Sequence, residues 1–122
     1  VIPGDGRARF LPRVVGYSNA CLMAFAGEPV KAEAARQMGL VSEVVEPEAL
    51  VERAQALAAG IAANPPHAVR LTKQLMRASQ NASLDELLDK SAGYQAICHA
   101  EPDHHEAIEA FFEKRPGNYR SN

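Results

Sequence analysis

The sequence predicts a mostly α-helical chain, and three observations carry that prediction. From residue 50 onward, apolar residues recur at helical spacing. Alanine is abundant, aromatics make up 6% and Trp is absent, a mix that suits helices packed closely through small residues. Only one segment, Leu40-Val41-Ser42-Glu43-Val44-Val45, has the composition of a strand.

The elements follow in order. Gly4-Asp5-Gly6 is a turn signal. A short helix is expected over 7–15, with Pro12 limiting its regularity, and Gly16 stops it. A second is expected over 18–26, ended by Gly27, and a third over 31–38, closed by Gly39. The valine-rich strand over 40–45 is bounded by Gly39 and Pro47. One strand cannot make a sheet, so its partners are expected elsewhere, before Val1. Val1-Ile2-Pro3-Gly4 likewise reads as the tail of a strand entering a turn.

Four helical patterns come next. Leu50, Ala54, Leu57, Ala58, Ile61 and Ala62 stripe the first. Asn64-Pro65-Pro66 breaks it and opens the second, with Ala68, Leu71, Leu75 and Met76 as its apolar stripe and Arg70, Lys73 and Arg77 on the flank. Ser83-x-x-Glu86 is a capping box before the third, whose buried side is expected to hold Leu84, Leu87, Leu88, Tyr94 and Cys98. The last opens at Pro102-Asp103, carries Ile108, Phe111 and Phe112, and ends near Lys114-Arg115, where positive charge suits the helix dipole. The organisation changes near Asn64, which divides the chain into 1–63 and 64–122.

Composition excludes some functions. The formal net charge of −2 gives no global basic field for nucleic acid. No apolar run approaches the roughly 20 residues that span a bilayer, so no membrane partner is expected. Cys21 and Cys98 have no CxxC-type neighbour, and a reducing cytoplasm suits them better than a disulfide framework. His104 and His105 are adjacent, while His67 and His99 stand apart, so no metal site is expected.

The segment Ile2-Pro3-Gly4-Asp5-Gly6…Leu11-Pro12-Arg13-Val14-Val15-Gly16 resembles the crotonase (enoyl-CoA hydratase/isomerase) pattern IPGxGGxxxLPRxVG. The likeness continues through Gly27-Glu28-Pro29-Val30, Gly39-Leu40-Val41-Ser42-Glu43-Val44-Val45 and Arg70-Leu71-Thr72-Lys73. It closes at Ala110-Phe111-Phe112-Glu113-Lys114-Arg115-Pro116. The chain departs from the pattern at Arg7, where the family has a second glycine.

That resemblance implies the end of an α/β spiral of ββα units, followed by a helical C-terminal region that builds trimers or hexamers. It implies an acyl-CoA thioester as substrate and no separate cofactor. The first glycine of the turn, here Gly4, resembles a residue whose backbone N–H helps hold the catalytic water; the alternative is simple turn punctuation. The acid–base glutamates of a hydratase fall before Val1. Asp5 reads as a solvated turn aspartate. Phe111 and Lys114 match positions near the CoA nucleotide. An aromatic face covers adenine and an ammonium meets phosphate. From the residues alone, Phe111 reads as core and Lys114 as a solvated helix end.

The leading expectation is therefore the C-terminal part of an enoyl-CoA hydratase, not competent by itself. An enoyl-CoA isomerase or another crotonase reaction is the enzymatic alternative. A non-catalytic helical oligomerisation module is the alternative of another class.

Overall fold

A computed structural model describes residue 2 and residues 4–119. Val1 and Pro3, half of the expected strand tail, lie outside the described residues. The chain divides into two compact units, Val1–Leu50 and Val51–Asn122. The compositional change read at residue 64 falls inside the second unit.

In the first unit, α1 spans Arg7–Val15, α2 Tyr17–Ala26 and α3 Ala32–Gln37. One residue, Gly16, separates α1 from α2. Its φ of 81° and ψ of 156° lie in a region essentially reserved for glycine, which lets the chain turn a corner in a single step. α1 then packs on α2, burying Val15 and Ala20, and Ala35 of α3 is buried as well. α1 runs through Pro12 without ending there.

Residues 40–45 do not form a strand, and no strand occurs among the described residues. The reason is local as well as tertiary. Gly39 adopts φ 79°, and the Leu40 N–H reaches back to the Ala35 carbonyl at 2.8 Å, so the first residue of the expected strand closes α3. The valines after it have no ladder partner among the described residues. Residues 43–46 stay unladdered until a 3₁₀ turn at Pro47–Ala49.

α4 follows at Leu50–Ala62, then α5 at Pro66–Ala78, α6 at Leu84–His99 and α7 at Pro102–Glu113. In the second unit α5 packs on α6 and α6 on α7. Leu71 and Ala110 are buried there. Tyr94 donates its hydroxyl to Gln74 Oε1 at 2.8 Å and ties α6 to α5. The capping box forms: Glu86 N–H bonds Ser83 Oγ at 3.3 Å, and Glu86 Oε2 accepts from the Ser83 N–H at 2.8 Å.

The expected apolar faces are partly corrected. On α5, Ala68, Leu71 and Leu75 turn inward, whereas Met76 is 67% exposed. On α6, Leu87, Tyr94 and Cys98 face the neighbours, joined by Ser91, while Leu84 and Leu88 are exposed. Leu87, Ser91, Tyr94 and Cys98, at i, i+4, i+7 and i+11, fall within about 60° of one another around the helix, about one-sixth of its circumference. Leu84 and Leu88 lie off it. α7 ends at Glu113, one residue short of the basic pair expected to finish it.

Candidate functional site

The turn before α1 is organised by its own charges. Asp5 accepts the Arg7 backbone N–H at 3.1 Å and the Arg7 Nε at 2.8 Å. These bonds, the backbone one foremost, hold the Asp5 carboxyl below its usual range. At neutral pH it is an acceptor with no proton to give, so this geometry does not suit a general acid. Arg7 thus closes the turn with an exposed ion pair to Asp5. Gly6, at φ 85°, needs to be glycine: a Cβ there would meet the Phe10 ring at 3.2 Å.

Gly4 is exposed and lines an open concavity of about 1020 Å³ that also takes in Asp5, Arg7, Tyr17, Cys21 and Phe25. A Cβ at Gly4 would have nothing within 4 Å. Within this chain no neighbouring atom demands glycine at that position.

Phe111 and Lys114 belong to the second unit. Phe111 is 78% exposed, so it is not a core side chain of this chain. Its ring meets Phe112 edge-on, with centroids 5.7 Å apart at 75°. Lys114 lies just beyond α7 in the left-handed conformation, φ 53° and ψ 40°. It is therefore off the helical face that carries Phe111, three residues earlier. It is exposed and has no ion pair among the described residues.

Arg115 is engaged instead. Its Nη1 and Nη2 grip Glu106 at 2.5 and 3.1 Å, and its Nε reaches Glu113 at 2.5 Å. Glu106 also accepts the Asn118 backbone N–H at 2.8 Å. These bonds, led by the guanidinium, pull the Glu106 carboxyl down to about 2 and push the Arg115 guanidinium up. Sequence reasoning saw Arg115 only as a helix-end charge. The single available signal was Glu106 and Glu113, spaced i and i+7 on one helical face.

A second cluster lies where α5, α6 and α7 come together. His67 Nδ1 and Glu101 Oε1 are 3.1 Å apart, and the His99 and His104 rings lie 4.5 Å apart. With Cys98 and Asp103, His67, Glu101 and His104 line a small cleft of about 100 Å³. Among the described residues no group of three His, Cys, Asp or Glu side chains converges to hold a metal. Cys21 and Cys98 are both free thiols. No helix of the described residues is long and apolar enough to cross a membrane.

Residues 1–122 match the enoyl-CoA hydratase/isomerase family over their whole length, and the chain belongs to that family. It is 36% identical over 120 residues to 2,3-dehydroadipyl-CoA hydratase of Escherichia coli strain K12, covering 98% of this chain and 47% of that protein. It is 35% identical over 115 residues to the 1,2-epoxyphenylacetyl-CoA isomerase of the same strain, covering 94% of this chain and 44% of that one. The crystal structure of an enoyl-CoA hydratase from Bacillus anthracis superposes with a TM-score of 0.94 at 33% identity, over 100% of this chain and 47% of that chain. The chain thus spans about half the length of these relatives.

Proposed function

We propose that this chain is the C-terminal part of an enoyl-CoA hydratase, which adds water across the double bond of a 2-enoyl-CoA. The observation that carries the reading is the family match along the whole chain, together with the hydratase among its close relatives. In this reading residues 1–63 finish the spiral core, and 64–122 form the helical region through which copies assemble into trimers or hexamers in the cytoplasm.

Water addition builds negative charge on the thioester oxygen, which needs paired N–H donors, and it moves two protons, which needs carboxylates. The resemblance assigns those groups to sequence preceding residue 1. What this chain contributes is the Gly4 backbone N–H, beside the water, and the Phe111 ring with the Lys114 ammonium, at the CoA nucleotide. Exposure of Phe111 and the unpaired state of Lys114 among the described residues support the second contribution.

The 122-residue chain alone is expected to leave crotonyl-CoA unhydrated. A protein-dependent loss of the enoyl absorbance, abolished by boiling, overturns this division of labour. A second reading, an isomerase, is supported by the comparable similarity to 1,2-epoxyphenylacetyl-CoA isomerase. The encoding gene separates the two: two suitably placed upstream glutamates point to hydratase, a single carboxylate to isomerase, and none to a non-catalytic oligomerisation module.

A further inference from the structure

The turn after α7 puts a lysine where helices usually place glycine. The Lys114 N–H bonds the Phe111 carbonyl at 3.3 Å and the Arg115 N–H bonds the Ala110 carbonyl at 3.1 Å. That pair of bonds closes a helix through a left-handed residue, a conformation that disfavours any side chain with a Cβ. Something must therefore hold Lys114 there. Arg115 is placed to do so. Its fork on Glu106 and its Nε on Glu113 tie the turn back to α7, and the Asn118 N–H fastens the following stretch of chain to the same Glu106. The arrangement has a second consequence. Both carboxylates that flank the turn are occupied by Arg115, while Lys114 keeps its ammonium unpaired among the described residues.

We propose that Arg115, acting through Glu106 and Glu113, is a positioning residue that fixes the Lys114 turn and keeps its ammonium free for a phosphate of the CoA nucleotide. This rests on the reading of Phe111 and Lys114 as the nucleotide contact. A cation already held in place loses less freedom on binding, and its charge-assisted bond to phosphate is correspondingly stronger. Without the clamp, Glu106 and Glu113 are released as competing anions beside the turn.

The test titrates adenosine 3′,5′-bisphosphate, and separately adenosine, into the ¹⁵N-labelled chain and follows the amide shifts of residues 110–118. Lys114→Gly removes the ammonium while keeping a residue that favours the left-handed turn. Glu106→Gln and Arg115→Lys loosen the clamp while preserving size. Each of the three is expected to weaken the bisphosphate by about three- to tenfold, as for a charge-assisted contact near the surface, and to leave adenosine unchanged. Weakening by Lys114→Gly alone overturns the role of Arg115 and leaves the nucleotide reading standing. No binding by the parent chain, or no effect of Lys114→Gly, overturns both. Equal loss of adenosine and bisphosphate in the clamp variants reveals a merely structural role and also overturns the proposal.

Discussion

Glu106 sits at the centre of a side-chain network in the second unit, bonded to Arg115 and Asn118. Its carboxyl titrates at about 2, against an ordinary 4.5, because Arg115 foremost and the Asn118 N–H next favour its ionised form. A carboxyl depressed on folding binds fewer protons folded than unfolded, so stability rises with pH across the interval between the two values. The contribution of Glu106 is therefore complete above about pH 4.5 and lost as pH falls towards about 2. We expect Glu106→Gln to be less stable than the parent at pH 6 and equal to it near pH 2, followed by circular dichroism during acid titration. A difference that persists undiminished at pH 2 would show that the carboxylate charge is not what stabilises the turn. Asp5, Glu33 and Glu86 are depressed in the same sense by Arg7, Arg36 and Ser83. Each of those partners lies within three residues, whereas the Glu106 network reaches nine residues along the chain to Arg115 and twelve to Asn118.

At the scale of elements, α6 shows how local chemistry sets a boundary. Its 16 residues include Gly93, its outer face exposes Leu84, Leu88 and Ile97, and none of the 16 is fully buried. Its start therefore depends on the capping box at Ser83 and Glu86 more than on burial. Ser83→Ala is expected to cost about 1 kcal/mol in urea unfolding and to raise the exchange rate of the Glu86 amide selectively. Uniform exchange along α6, with no change at Glu86, would refute the capping account. The helix boundaries were legible because caps, prolines and glycines act on neighbouring backbone. Which side of each helix is covered was less legible. Leu84 and Leu88 look as apolar as Leu87, and only the position of α5 and α7 separates them.

The whole chain exposes much apolar surface. Its accessible area is 9828 Å². Two separate compact bodies of half its 13.2 kDa mass would together expose about 7,700 Å² by the scaling for folded monomers. The excess therefore arises within the units, whatever their arrangement. It is larger than the roughly 800 Å² that each partner contributes to a standard protein interface. Tyr17, Leu22, Phe25, Phe111 and Phe112 are all more than half exposed. We expect the isolated chain to self-associate, with its weight-average mass rising with concentration in sedimentation equilibrium. A constant 13.2 kDa species over a hundredfold concentration range would contradict this.

The sequence by itself marked the seven helices of the described residues, the capping box of α6 and the family, because helix formation depends on residues three and four apart and on the residue at each end. It also brought Gly4, Phe111 and Lys114 forward as site candidates, through the family pattern and not through periodicity. The tertiary structure alone decided what those positions have around them. It exposed Phe111, put Lys114 in a left-handed turn and joined Arg115 to Glu106. It likewise brought His67 to Glu101 across 34 residues and left residues 40–45 without a ladder. The physical reason is the same in each case. A strand, an ion pair between distant residues and the burial of a ring all depend on a partner that is remote in sequence, and no local pattern states where that partner will be.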